Sequence, residues 1–329
     1  MKINIILSTY NGEKFLPEFL KSLENQSFKE WILFVRDDNS QDNTLSILEE
    51  FKKKRPQKVY LIKDTLGNLG ACKSFLTLLK ETEGDYFMFA DQDDIWLPDK
   101  IELNMIKMLK LENIYGKESP ILIHSDLIVV DKNLNILAKS LWKYQRTTPQ
   151  KRNLNYLLIQ NNVTGCTVMI NKALKGLVNT IPNKAIMHDW WLALLASAFG
   201  VIDYIEKPLV FYRQHESQDI GARKYSLSYF LKRFAKNPKD AFISVFKTVE
   251  QAKEFFEIYK NLLPKEKKDI ILSYLEIFNR GILSRPLKIC KGNFLKHGII
   301  RNIGFIFTLT VLWDKYARPK CLNSFIPYR

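Results

Sequence analysis

The sequence predicts an α/β fold: a mostly parallel, Rossmann-like sheet followed by a helical, basic C-terminal region. Three observations predict it. Short apolar runs alternate with helix-period segments from residue 3 to about residue 213, and polar or glycine turns follow the runs. One run, Phe87-Met88-Phe89-Ala90, ends abruptly in Asp91, Asp93 and Asp94. Beyond about residue 225 the pattern is helical, with breaks at Pro238, Pro264 and Pro286.

The elements follow in order. Residues 3–8 read as a strand, and 14–25 as a helix with Phe15, Leu16, Phe19, Leu20 and Leu23 on one face. Trp31-Ile32-Leu33-Phe34-Val35 is a second strand, closing at Asp37-Asp38-Asn39-Ser40. A helical period over 42–54 leads to a third strand at 59–62 and the loop Gly67-Asn68-Leu69-Gly70. Residues 71–82 read as a helix, 85–90 as the strand before the carboxylates, and 99–112 as a helix. Separate strands are expected at 121–124, 127–130 and 164–170, then a helix over 188–199 and a strand-rich return over 201–213. Sites in such folds lie along the strand C-termini.

Composition narrows the class. The 329 residues suffice for one large domain or two, and 46% hydrophobic content is ordinary for a globular chain. Cys72, Cys166, Cys290 and Cys321 are far apart, so no zinc or disulfide spacing stands out. The first residues read as a strand rather than a signal peptide, and no segment offers 18 uninterrupted apolar residues. Charge is uneven. Residues 221–329 hold 22 Lys+Arg and 8 Asp+Glu, which leaves 50 − 22 = 28 basic and 35 − 8 = 27 acidic side chains before them. That asymmetry predicts a boundary, with domains at 1–220 and 221–329, and an anionic surface as partner. No nucleic-acid-binding motif accompanies the charge.

Clustered carboxylates repel one another unless a positive charge sits between them. Asp91-Gln92-Asp93 at a strand end is a hard-oxygen ligand pair suited to Mg²⁺ or Mn²⁺, whose remaining ligands are usually water and substrate phosphates. The chemistry indicated is a metal-dependent reaction of a phosphorylated substrate.

The order Ser8-Thr9-Tyr10-Asn11-Gly12, Asp37-Asp38-Asn39-Ser40, Asp91-Gln92-Asp93-Asp94, His188-Asp189-Trp190-Trp191 and Tyr212-Arg213-Gln214-His215 resembles the GT-A glycosyltransferases of family 2. It covers about residues 1–220 and looks most like bacterial rhamnosyltransferases that build surface polysaccharides. The resemblance implies a GT-A fold. It implies that Asp93 coordinates the metal, that Asp91 contacts the donor's ribose or metal-bound water, and that His215 is a third metal ligand or a diphosphate contact, with Arg213 nearby. Thr9, Tyr10 and Asn11 would pack against the nucleotide. Asp38 would accept a hydrogen bond from the pyrimidine, since a carboxylate is acceptor-only and suits an imide N–H. Asn68, Gly70 and Lys73 would approach the nucleotide or its phosphates, and Asp126 the donor sugar. Asp189, at the start of an apolar helix, would be the catalytic base, with Trp190 and Trp191 as a wall for a sugar face. Asp37 and Asp42 read as caps of the next helix, and Asp94 as local structure. The resemblance also places Asn in the loop after His215, where this chain has Glu216-Ser217-Gln218-Asp219.

The expected activity is inverting transfer of L-rhamnose from dTDP-β-L-rhamnose to a lipid-linked polysaccharide. A UDP-hexose donor, a non-catalytic sugar-nucleotide or membrane-binding protein, and a nucleotidyltransferase are the alternatives. The C-terminal third suits a helix lying in a membrane interface, or a homodimer, so the expected location is cytoplasmic and peripheral on the inner face of the cell membrane.

Overall fold

The structure is a computed structural model that describes residues 2–215 and 237–321. The expected contacts of residues 216–219 and the basic, aromatic stretch at 225–236 lie outside the described residues.

Strands β1 (Ile3–Thr9), β2 (Trp31–Asp37), β3 (Val59–Ile62) and β4 (Tyr86–Ala90) alternate with helices α1 (Leu16–Glu24), α2 (Thr44–Lys54) and α3 (Ala71–Glu81). The four strands pair in parallel in the order β3-β2-β1-β4. Their C-terminal ends therefore share one edge, and the chain reverses direction across the sheet between β1 and β4, where open α/β sheets form a crevice. Helix α1 forms because Leu16, Phe19, Leu20 and Leu23 recur at helical spacing and all four are buried, with Pro17 in its first turn.

Beyond β4 the sheet becomes mixed. Strand β5 (Ile95–Trp96) precedes α4 (Lys100–Tyr115); β6 (Ile121–Asp131), β7 (Ile136–Ala138), α5 (Leu141–Gln145) and α6 (Leu154–Leu157) follow. Next come β8 (Met169–Asn171), α7 (Lys172–Lys175), α8 (His188–Phe199) and β9 (Val201–Gln214). The two strands expected at 121–124 and 127–130 are one eleven-residue strand. Its register against β9 shifts at Ser125–Asp126, so the polar pair that looked like a gap is a bulge inside the strand. The strand expected over 164–170 begins instead with a 3₁₀ turn at Gly165–Thr167, and β8 pairs antiparallel to β4 and β6. Strand β5 pairs with β9 across Ile95–Phe211, which ties the acidic loop to the Tyr212-Arg213-Gln214-His215 segment.

Residues Gln145–Asn162 and Pro182–Ile186 group with the C-terminal helices in a second compact unit. Its helices are α9 (Pro238–Tyr259), α10 (Lys265–Ile277), α11 (Ser284–Lys291), α12 (Ile299–Phe307) and α13 (Trp313–Cys321). A π-helical turn at Thr308–Leu312 joins the last two. The inserted segments are held by polar anchors. Glu254 accepts the Asn183 and Lys184 N–H groups, Gln251 accepts that of Ile186, and His297 accepts that of Thr148. Phe255, Tyr274, Ile277, Phe294 and Trp313 are buried in this unit. No described helix is long and apolar enough to cross a membrane.

Candidate active site

Three strand ends converge at the β1–β4 crevice. Thr9 closes β1, and its hydroxyl donates to Asp37 at the end of β2 (2.8 Å). Asp37 also accepts the Ser40 N–H and hydroxyl, which shapes the turn after β2. Asn11 takes a left-handed conformation with φ of 45°. Its backbone N–H donates to Ser40 Oγ (2.9 Å) and its side-chain Oδ1 accepts the Gln41 N–H (2.8 Å). Tyr10 projects outward between these locked neighbours and is 49% exposed.

Gln92, in the middle of the acidic motif, fixes that motif to the first turn. Its amide accepts the Tyr10 N–H (3.0 Å) and donates to the Tyr10 carbonyl (2.8 Å). A Cβ on Gly12 would lie 2.2 Å from Gln92 Oε1, so the Asn-Gly pair supplies close approach as well as a turn.

The three carboxylates divide as follows. Asp93 Oδ2 lies 2.7 Å from His215 Nε2. Phe15 packs on the His215 ring at 4.8 Å, so strand β9 delivers an oriented imidazole to the acidic loop. Asp91 is partly exposed at the head of the loop. Asp94 is buried, accepts the Arg213 N–H (3.1 Å), and serves local structure. Burial first, then repulsion from Asp93 and Asp91, raises its carboxyl well above the usual range. Asp91, Asp94 and Cys166 can also bring ligand atoms within 4.8 Å of one another. That set does not suit Mg²⁺ or Mn²⁺: burial and the neighbouring carboxylates push the Cys166 thiol up, and these ions prefer oxygen. Asp91 and Asp93 offer the hard oxygen donors that these ions prefer, but the arrangement gathers Asp91 with Asp94 and Cys166 rather than with Asp93 and His215. Below them lies Lys100, fully buried, with its ammonium 3.4 Å from the Trp96 ring centroid; burial lowers its pKa to about 7.

Asp38 is 3% exposed and anchors the next loop. It accepts the Leu69 and Gly70 N–H groups (both 2.8 Å) and pairs with Arg36. Arg36 also reaches Asp64 (2.7 Å) and the Gly67 carbonyl (2.8 Å). Burial alone would lower the Arg36 pKa, but these carboxylates outweigh it and hold the guanidinium charged. Asn68 caps the same loop by accepting the Gly70 N–H (3.2 Å). Gly70 is the N-cap of α3, so Asp38 sets where α3 begins and where Lys73, in its first turn, stands.

Asp189 lies in the first turn of α8, near the positive end of that helix, and is 8% exposed. It accepts the Trp190 N–H (2.5 Å). The first turns of α3 and α8 lie near one another, so that burial and then the Asp189 charge push the Cys72 thiol up to about 12. His188 is buried between Phe75 (4.1 Å between ring centroids) and Phe89 (5.2 Å). Burial lowers its pKa to about 3, so it is a neutral spacer beneath Asp189. A Cβ on Gly165 would come within 2.8 Å of His188.

Five expected contacts are corrected by burial and bonding. Thr9 is fully buried with its hydroxyl on Asp37, and the Asp38 oxygens are taken by Arg36 and the Leu69 and Gly70 N–H groups, so neither side chain faces a nucleotide. Arg213 is 1% exposed and turned inward. It donates to the Asp93 carbonyl (2.9 Å), the Lys132 carbonyl (2.7 Å) and Glu18 (2.5 Å), and stacks on Phe15 at 4.5 Å. Those bonds hold the acidic loop in place rather than presenting a donor to a ligand. Asp126 is 4% exposed and accepts the Leu127 and Leu141 N–H groups (2.8 and 3.0 Å) together with the Ser140 hydroxyl, so it organises the β6–α5 connection. Trp191 is a core residue with no exposed surface, and only Trp190 of the pair is partly accessible. Sequence reasoning missed Gln92, Arg36 and Glu18. Arg36 had a readable signal: a lone cation in an apolar strand, two positions from Asp38 and so on the same face.

The chain matches the model of "Glycosyl transferase family 2" over residues 4–177. It is 33% identical over 227 residues to the dTDP-rhamnosyl transferase RfbG of Shigella flexneri, covering 66% of this chain and 74% of that protein. It is 31% identical over 175 residues to WfgD of Escherichia coli, named a UDP-Glc:α-D-GlcNAc-diphosphoundecaprenol β-1,3-glucosyltransferase, covering 52% and 61%. Residues 1–349 of Staphylococcus aureus TarS, crystallised with UDP-GlcNAc, superpose with a TM-score of 0.54 at 18% identity, over 97% of this chain and 92% of that one. That likeness establishes the shared GT-A fold.

Proposed function

We propose a reaction for this chain, which belongs to glycosyl transferase family 2: inverting, metal-dependent transfer of L-rhamnose from dTDP-β-L-rhamnose to a lipid-linked cell-surface polysaccharide. One observation carries the reading. The ends of β1, β2 and β4 meet at one crevice, where His215 Nε2 lies 2.7 Å from Asp93 Oδ2 and Gln92 clasps the Tyr10 backbone. That arrangement suits a diphosphate and its counter-cation.

Asp91, Asp93 and His215 would hold Mg²⁺ or Mn²⁺, which would neutralise charge on the departing diphosphate. The nucleotide lies against Tyr10 and Asn11, with the base facing the loop that Asp38 orders and Lys73 near the phosphates. Asp189 takes the proton of the acceptor hydroxyl. That oxygen attacks the anomeric carbon, and the sugar–oxygen bond to the diphosphate breaks on the opposite face. The nucleoside diphosphate leaves with the electron pair, so no sugar–enzyme bond forms. Trp190 shields the base from water and offers an apolar face to a sugar.

The rhamnosyl donor is favoured by the 33% identity to a dTDP-rhamnosyl transferase. A UDP-hexose donor is the second reading, favoured by the 31% identity to a UDP-Glc-dependent enzyme. A panel of dTDP-rhamnose, UDP-glucose and UDP-galactose, read as release of nucleoside diphosphate with Mn²⁺ present, tests the choice. Turnover of dTDP-rhamnose is expected. Turnover of a UDP-hexose alone transfers the assignment to the second reading, and pyrophosphate release from a nucleoside triphosphate replaces both with nucleotidyl transfer.

A further inference from the structure

The 3₁₀ turn at Gly165–Thr167 touches both halves of the proposed reaction. One end is bonded to the strand that carries the acidic loop. The Phe89 N–H of β4 donates to the Val168 carbonyl (3.2 Å), and Met88 pairs with Met169. Within the turn, the Thr167 N–H and hydroxyl both donate to the Thr164 carbonyl (2.9 and 2.7 Å), and the Val168 N–H donates to the Gly165 carbonyl (3.0 Å). Cys166 and Thr167 are fully buried. Cys166 Sγ lies within 4.8 Å of carboxylate oxygens of Asp91 and Asp94. The turn therefore moves only with β4 and the loop that follows it.

The other end of the turn meets the start of α8. A Cβ on Gly165 would lie 2.8 Å from His188 Nε2, 3.0 Å from His188 Cε1 and 3.6 Å from Asp189 Oδ2. Gly165 does not take a positive φ, so the position uses the absence of a side chain and not the backbone freedom of glycine. The edge of the His188 ring rests on this bare backbone, with the Asp189 carboxylate beside it. Phe75 and Phe89, both buried, pack the ring at 4.1 and 5.2 Å between centroids and leave it little room to retreat. Neither ring nitrogen has a hydrogen-bond partner among the described residues, so the ring acts by shape. Burial lowers its pKa to about 3, so it spaces Asp189 without supplying a charge to pair with it. His188 opens α8 and Asp189 is the next residue, so a displaced ring carries the carboxylate with it.

We propose that Gly165 and His188 are positioning residues, which together set where Asp189 stands relative to the acidic loop. They thereby fix the gap across which the acceptor hydroxyl, the anomeric carbon and the departing diphosphate line up. This role rests on the reading of Asp189 as base. Non-bonded heavy atoms rest at roughly 3.5–4.0 Å, so Gly165→Ala must shift the ring or the turn by roughly half an ångström or more. A misplacement of about 1 Å can cost about 10²-fold in rate. The test measures kcat and KM for the donor that the wild type turns over, as release of nucleoside diphosphate. Calorimetric affinity for that nucleoside diphosphate and the urea midpoint are taken on the same variants. Gly165→Ala is expected to lose about tenfold or more in kcat, with KM and nucleotide affinity within about threefold of wild type. His188→Asn, which adds no bulk, is expected to show the same split and decides alone if Gly165→Ala does not fold. In Gly165→Ala/His188→Asn the alanine adds no further loss, because asparagine lacks the two ring atoms that the methyl meets. A merely structural role lowers the urea midpoint and leaves kcat within about threefold, which overturns the proposal. Losses that multiply in the double variant, or a fall in nucleotide affinity equal to the fall in kcat, also overturn it. Asp189→Asn separates the two failures. Full turnover in that variant removes the base and this role with it, whereas lost turnover beside an undiminished Gly165→Ala removes this role alone.

Discussion

Replacing Arg213 by methionine separates a brace from a ligand contact. The guanidinium is 1% exposed and bonded to the Asp93 and Lys132 carbonyls and to Glu18. Methionine keeps an apolar stem against Phe15 but donates nothing. Two carbonyls lose their donor, at about 1–3 kcal/mol each, and the cation–π contact with Phe15 adds about 1 kcal/mol. Glu18 is 49% exposed and recovers water, so its loss costs little. Relief of the buried charge offsets part of the total. The expected net loss is about 2–4 kcal/mol, read as a fall in the urea midpoint at constant slope. Metal-free nucleotide affinity should change by less than about threefold, because the guanidinium faces the acidic loop and not the ligand. Unchanged stability together with a tenfold loss of nucleotide affinity would refute the brace and restore the direct contact.

Three further outcomes are expected. Asp189→Asn retains nucleotide binding and loses transfer by about 10²–10⁴-fold, in a single-turnover assay with the accepted donor; undiminished transfer removes Asp189 as base. Gln92→Ala loses the two bonds to Tyr10 and weakens nucleotide binding by about tenfold with a stability loss of about 1–2 kcal/mol; unchanged nucleotide affinity in calorimetry detaches this clasp from the site. His188→Phe alters the acid limb of stability. Unfolded His188 takes up a proton below about pH 6.5, whereas the buried ring resists until about 3, so the native state loses about 1.4 kcal/mol per pH unit as pH falls through that window. Phenylalanine removes that contribution and leaves the one from His297, whose pKa burial lowers to about 4. Equal acid slopes in wild type and variant, from urea unfolding at several pH values, contradict a neutral buried His188.

The sheet edge was legible because each strand from β1 to β4 ends where an apolar run meets a polar turn. The helices α1 to α3 were legible because their apolar residues keep the 3.6-residue period. Strand β5 was not, since two residues carry no period and Ile95–Trp96 is a strand only because β9 lies beside it. Nor could the sequence join Asn183 and Lys184 to the second unit, because the carboxylate that holds them lies about seventy residues away. Among the site residues, type and order were readable but orientation was not. Arg213 and Asp126 are the charged residues expected, yet burial and backbone partners turn both toward the fold. The helical period could have flagged Trp191 as core, since it continues the apolar face of Leu194 and Leu195.

The most direct test of the strand-end metal and diphosphate site is calorimetric titration of dTDP into the protein with and without Mn²⁺, repeated on Asp93→Asn and His215→Ala. The account predicts tight binding only with the metal, weakened about tenfold or more in each variant while the fold persists. Equal affinity without metal, and in both variants, would contradict it.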